Sequence, residues 1–164
     1  MQLIYPILKL VRYPNLLFIF VTQYLIQYCV IRPVFQKLGI SLTLSNGWFF
    51  LLALSLVFIA AAGYIINDCF DVKIDRVNKP DRVIIDRIIS RRWAISLYTA
   101  FNLTGVILGF LIGWKEGYLF LGFTQLLCAG SLWFYSRAYK RQLLIGNIVV
   151  SVLTALPVLI AGFF

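Results

Sequence analysis

The sequence predicts an all-α fold, a polytopic transmembrane helical bundle, on three observations. Of 164 residues, 62% are apolar and only 13% are charged, whereas an ordinary globular domain carries about 25% charged residues. The apolar residues gather in five runs of about 20, the length that crosses a hydrocarbon core roughly 30 Å thick. Trp48, Trp93, Trp114, Tyr118 and Tyr135 stand at run ends, where interfacial aromatics belong. A soluble domain of this size could not hide so much apolar surface. A soluble enzyme, a secreted disulfide scaffold and a disordered chain are therefore excluded.

The runs follow in order. The first extends from Asn15 to Ile31, the second from Trp48 to Ile66 and the third from Trp93 to Gly113. The fourth covers Gly117 to Tyr135 and the fifth Leu143 to Phe164. Gln23, Gln27, Asn102 and Gln125 interrupt them, as polar residues do where helices face one another rather than lipid. Gly105, Gly109 and Gly113 recur at every fourth position of the third run, which clears a groove for a neighbouring helix. Ala60-Ala61-Ala62-Gly63 invites the same reading. The fifth run stops at Gly162-Phe163-Phe164 with no polar flank, so residues 1–164 are expected to form a single integral membrane domain, the N-terminal part of a longer protein.

Loop charge orients the bundle. The net charge is +9, and with the N-terminus inside, twelve of the fifteen basic residues become cytoplasmic, as the positive-inside rule requires. Lys9 and Arg12 lead the chain, seven Lys and Arg follow the second run, and Arg137, Lys140 and Arg141 follow the fourth. The basic excess thus belongs to topology, with membrane lipid as surroundings and no nucleic acid among the partners. Cys29, Cys69 and Cys128 are widely spaced, and histidine is absent. Zinc, haem and His-based catalysis are not expected, and the cysteines read as free thiols.

One stretch is dense in carboxylates. Asn67, Asp68, Asp71 and Asp75 directly continue the second apolar run. On a continued helix the three aspartates, spaced i, i+3 and i+7, share a face, and Asn67 joins its edge four residues before Asp71. Like charges so arranged repel unless a cation sits among them. Magnesium suits, because it takes one or two carboxylates and completes its shell with water and phosphate oxygens. Arg76, Lys79, Arg82 and Arg87 follow closely and can pair phosphate charge. Topology alone accounts for most of the basic residues, and ion pairing on a solvated face accounts for Asp81 and Asp86. Neither accounts for Asn67, Asp68 and Asp71, which abut an apolar span where charge is expensive.

The pattern from Asn67 through Arg82, Asn-Asp-x-x-Asp-x-x-x-Asp-Arg-x-Asn-Lys-Pro-x-Arg, resembles the first aspartate-rich motif of the UbiA-type intramembrane prenyltransferases. Leu10-Val11-Arg12-Tyr13-Pro14-Asn15 before the first run is similar to what that family carries there, as are Tyr135-Ser136, Lys140 and Gly146-Asn147 after the fourth. The resemblance implies a nine-helix fold, of which five spans are present. It also implies a Mg²⁺-dependent transferase that moves a polyprenyl group from its diphosphate to an aromatic quinone precursor or a glycerol-phosphate lipid. Wording such as Arg12-Tyr13-Pro14-Asn15-Leu16-Leu17 and Ile89-Ser90-Arg91-Arg92 resembles the branch that makes ether lipids from glycerol phosphates.

Carried over, Asp68, Asp71 and Asp75 are the expected catalytic residues, with Asn67, Asp71 and Asp75 holding Mg²⁺ on the diphosphate. Arg76, Lys79 and Arg82 are expected to flank the phosphates, with Tyr135, Ser136 and Lys140 approaching from the next cytoplasmic loop and Arg12 and Asn15 facing the same side. Phe18, Phe20, Phe49, Phe50, Phe58 and Tyr64 are candidates to line the cavity of the prenyl chain. The sequence departs from the family in three ways: Val83-Ile84-Ile85-Asp86 follows Arg82, Cys69 replaces an aromatic residue, and the second aspartate motif is not among these residues. The chain alone is therefore expected to be inactive and the full-length protein active, in a prokaryotic inner membrane. Phosphatidyltransferases use clustered aspartates too, but their Asp-Gly and Ala-Arg pairs do not occur here. A divalent-cation transporter would carry charge inside its spans, and these have none. A non-catalytic membrane scaffold is the remaining alternative.

Overall fold

A computed structural model of the protein describes residues 4–39, 44–80, 83–138, 140 and 142–161. Asp81, Arg82, Arg141 and the final residues through Phe164 lie outside them. The described chain is helical, with a lone bridge between Ile85 and Ile89 as its nearest approach to a strand. Helices α1 (Ile4–Leu10) and α2 (Tyr13–Leu25) lead into a π-helical turn (Ile26–Ile31) and α3 (Arg32–Lys37). Then come α4 (Asn46–Asn78), α5 (Arg91–Lys115), α6 (Phe120–Arg137) and α7 (Leu143–Ala161). Over their described residues the five expected runs each lie on helix, the fourth starting at Phe120 rather than Gly117, and the last three residues of the fifth fall outside the described chain.

The first run is longer than expected, because α2, the π turn and α3 join into one rod from Tyr13 to Lys37. Pro33 explains the π turn. It has no N–H to offer the carbonyl one turn back, and the helix widens just before it, with Arg32 N–H donating five residues back to Gln27 O. Helix α1 was not foreseen: it is only seven residues long and breaks from α2 at Arg12, whose backbone is left-handed at φ 53°.

Helix α4 has 33 residues, about 50 Å of rise, so it outruns a hydrocarbon core of about 30 Å. The aspartate motif rides on this same uninterrupted helix. α4 is also the central rod: 61% of its 18-residue apolar stretch is buried, against 17% in α5 and 11% in the α2–α3 rod. These three helices are long and apolar enough to cross a membrane. Helices α6 and α7 stand where the fourth and fifth spans are expected. The polar end of α6, Ser136-Arg137, and its Thr124-Gln125 pair dilute its apolar character.

The glycine stripe of α5 is a packing surface on both sides. Ser55 Oγ on α4 donates 2.9 Å to Gly105 O in the buried interior. A Cβ on Gly105 would lie 2.9 Å from Ser55 O and 2.6 Å from Ile59 Cγ1. A Cβ on Gly113 would meet Tyr118 O at 2.7 Å, in the α5–α6 hairpin that Gly117 turns at φ +76°. Gly63 on α4 faces Leu132 of α6 in the same way. Among the described residues, three apolar clusters fill the bundle. One, around Leu10, Ile65, Cys69, Ile85 and Ala94, seals the end that carries the motif. Another, around Ile31, Phe49, Leu52, Leu56 and Ile112, closes the opposite end, and a small one around Ile59 and Cys128 lies between helices α4 and α6. The three cysteines are free, as the sequence implied.

Gly105→Ala is expected to destabilise the fold by about 1–3 kcal/mol, because backbone cannot yield to the new methyl. Gly130 has open space around its Cβ position, so Gly130→Ala should be neutral or gain up to about 1 kcal/mol of helix propensity. Thermal unfolding in detergent checks both. A Gly105→Ala protein as stable as the parent would contradict this packing.

Candidate active site

Continuation of α4 beyond Ile66 places Asn67, Asp71 and Asp75 on successive turns of one face, with Asp68 beside them. All four line a cavity of about 1030 Å³. Two elements from opposite sides close on this face. The α1–α2 junction supplies Arg12, whose Nη2 lies 2.9 Å from Asp68 Oδ1 and whose guanidinium lies 5.0 Å from the centre of the Tyr64 ring. The left-handed backbone of Arg12 carries a penalty of roughly 1–2 kcal/mol, and the charge-assisted bond and ring contact offset it. Asn15, in the first turn of α2, donates a long 3.4 Å bond to Tyr64 OH.

From the other side comes Lys140, in the α6–α7 connection. Its Nζ donates 3.2 Å to Asn67 Oδ1 and pairs with the Asp71 carboxylate. Asn67 Nδ2 also donates 3.1 Å to Asp71 Oδ2. Tyr135 and Ser136, at the end of α6, line the same cavity, and Ser136 Oγ donates back to Leu132 O at 2.8 Å. A side pocket of about 270 Å³ opens beside Asp71, Asp75, Ser136 and Lys140.

Charge along the cavity is sharply divided. Its mouth carries four cations, Lys9, Arg12, Lys79 and Lys140, against three carboxylates, Asp68, Asp71 and Asp75. Below Tyr64 the described wall has no ionisable carboxylate or amine; Phe18, Ile19, Ile26, Leu56, Ile59 and Leu132 form much of it. A mouth with surplus positive charge attracts anions, and an apolar body takes hydrocarbon.

Of the expected site residues, the structure gathers Arg12, Asn15, Asn67, Asp68, Asp71, Asp75, Lys79, Tyr135, Ser136 and Lys140 around one cavity. Arg76 is not brought in. Its guanidinium turns away to Asp86 at 3.2 Å, so this acid is neutralised by an ion pair, as the charge alternation suggested. Arg82 lies outside the described residues. Among the candidate aromatics, Phe18 and Tyr64 line the cavity and the others pack elsewhere: Phe49 against Tyr24, Phe50 against Phe20, Phe58 against Phe101.

Lys9 and Gln23 line the cavity without having been singled out for it. The signal for Lys9 was its place three residues before Arg12, but basic residues there are also demanded by topology. Among the described residues, no three His, Cys, Asp or Glu side chains come close enough to form a ready-made metal cage. What converges instead is a pair of hard oxygen donors, from Asn67 and Asp71, on the single positive charge of Lys140.

The model of the UbiA prenyltransferase family matches residues 36–164. The digeranylgeranylglyceryl phosphate synthase of Metallosphaera sedula is 43% identical over 113 residues, covering 68% of this chain and 38% of that protein. Its namesake in Sulfurisphaera tokodaii is 36% identical over 104 residues, covering 63% of this chain and 36% of the relative. The chain thus spans less than two fifths of the length of these relatives. A solved structure from work on digeranylgeranylglyceryl phosphate synthase in membranes superposes with a TM-score of 0.79 at 24% identity, over 99% of this chain and 53% of that one, and shares the fold. With the family match reaching across the aspartate motif, the central helix and every helix after it, the chain belongs to the UbiA prenyltransferase family.

Proposed function

We propose that the full-length protein is a Mg²⁺-dependent intramembrane transferase that moves a polyprenyl group from its diphosphate onto the hydroxyl of a glycerol-phosphate lipid. The observation that carries this reading is the continuous cavity, charged at one end and apolar along the rest. A ligand with a diphosphate head and a long hydrocarbon tail matches both halves. The relatives' name supports a geranylgeranyl donor and a glycerol-phosphate acceptor over an aromatic ring. A cation pathway is disfavoured, because the described wall below the mouth carries no ionised group to pass a cation along. In this reading residues 1–164 are the N-terminal membrane domain of a longer protein, with the N-terminus and cavity mouth cytoplasmic in a prokaryotic inner membrane.

The chemistry assigns roles to the residues at the mouth. Asn67, Asp71 and Asp75 would hold Mg²⁺. Two of their oxygens already point at one positive charge, and hard oxygen donors completed by phosphate suit this ion. A Mg²⁺ ion held there would supply positive charge to offset what develops on the leaving diphosphate. Arg12, Lys79 and Lys140 offer fixed positive charge to the phosphate oxygens, which strengthens as the leaving group gains charge. Asp68 holds the Arg12 guanidinium in place. Arg82 is retained as a flanking cation on the strength of the motif, whereas Arg76 fixes the end of α4 against Asp86. Tyr135 and Ser136 border the reacting end.

In the reaction the allylic C–O bond of the donor breaks, and its electron pair leaves on the diphosphate. The acceptor hydroxyl oxygen forms the new C–O bond as its O–H bond breaks, and the proton passes to an oxygen of the departing diphosphate. The apolar wall keeps water from capturing the allylic cation. The faces of Phe18 and Tyr64, close to the mouth, favour positive charge.

Asp71→Ala and Asp75→Ala in the full-length protein are each expected to lower transfer by about a hundredfold or more, the scale of losing one transition-state contact to developing charge. Transfer of a labelled prenyl group checks this, and turnover near the parent rate would refute the assignment. Arg87→Ala should stay within about threefold of the parent, since its Nη1 donates to Pro80 O at 2.6 Å on the exposed loop and such surface contacts contribute little. A loss as deep as that of Asp71→Ala would place Arg87 among the phosphate ligands instead.

A further inference from the structure

We propose that Leu56, together with Ile26, forms the floor of the prenyl cavity and sets how many isoprene units the donor carries. The proposal rests on the transferase reading above. Both residues line the cavity, and both also belong to the apolar plug beyond it, Leu56 as a buried member and Ile26 packed against it. They are where open space ends and close packing begins.

The two walls agree on the depth. Leu56 lies eleven residues before Asn67 on α4, and Ile26 eleven residues after Asn15, each about 17 Å of helix rise below the mouth. The π turn explains why the α2 wall stops there. Down to Ile26 the cavity side of α2 recurs at ordinary helical spacing: Asn15, Phe18 and Ile19, Thr22 and Gln23, Ile26. One more turn of α-helix would carry Cys29 and Val30 onto that side. The wider turn swings both out to exposure and brings Ile31 into the plug instead. Leu52 and Phe49, the next turns of α4 on the same side, are 1% and 2% exposed and leave no bore to continue into.

Ala60 is the complementary residue. It lines the cavity one turn above Leu56, about 10 Å below Asn67. Its small side chain keeps the bore open at that level.

The test measures kcat/KM of the full-length protein in liposomes with geranyl, geranylgeranyl and geranylfarnesyl diphosphate. Leu56→Ala is expected to raise the preference for geranylfarnesyl over geranylgeranyl by about tenfold or more, the scale on which apolar pockets discriminate chain length. Leu56→Val should move the same way by less, and it keeps the test available if the alanine variant does not fold. Ala60→Phe should raise the preference for geranyl over geranylgeranyl by a similar factor. Active variants whose ratios all stay within about twofold of the parent would overturn the floor and leave the transferase reading standing. Failure of the parent to turn over any of the three donors would overturn both.

Discussion

The structure depends on one electrostatic constraint: three aspartates share one side of a helix that has just left an apolar span. Such charges repel one another, and next to lipid they are costly without partners. Relief comes from two elements that reach the α4 end from opposite sides. Arg12 arrives from the α1–α2 junction and Lys140 from the α6–α7 connection. The backbone at Arg12 is held left-handed to make its contact, as is that of Asp86, which pairs with Arg76 farther along α4. Among the described residues, both with positive φ other than glycine thus anchor ion pairs to this helix. Local strain is tolerated where surrounding contacts over-determine it.

The same helix unites the two halves of the cavity. Because α4 is longer than the hydrocarbon core is thick, its apolar turns pack within the bundle while its last turns present amide and carboxylate oxygens at the mouth. Ala60, Gly63, Asn67 and Asp71 are stations along one wall. A single rigid element therefore fixes the distance between the head and tail of any ligand. Close contacts of Gly105 with Ser55 and Ile59 hold α5 tightly on the other side of this rod, so the wall is supported by packing rather than by loops.

Much of this was legible in the residues. The i, i+4 spacing of Asn67 and Asp71 declares a shared side as soon as the helix is assumed to continue, and the glycine stripe declares close approach. Other features were not legible, for physical reasons. Arg76 reads as a phosphate ligand from its place in the motif, yet Asp86 captures it, because the chain folds back through buried Val83, Ile84 and Ile85 to return an acid beside it. The end of the cavity was hidden too, since Pro33 acts at a distance by widening the preceding turn. Aromatic residues in spans carry no mark of which side they serve, so only Phe18 and Tyr64 of the six candidates meet the cavity.

The central claim is that one cavity binds a diphosphate head at its charged mouth and a prenyl tail in its apolar body for transfer to a glycerol-phosphate lipid. The most direct measurement supplies the full-length protein in liposomes with radiolabelled geranylgeranyl diphosphate, with and without Mg²⁺, and offers geranylgeranylglyceryl phosphate beside a panel of aromatic ring acceptors. The account predicts a Mg²⁺-dependent doubly prenylated glycerol phosphate and no labelled ring product. Labelled product on a ring alone, or no product and no Mg²⁺-dependent binding of the diphosphate, would contradict it.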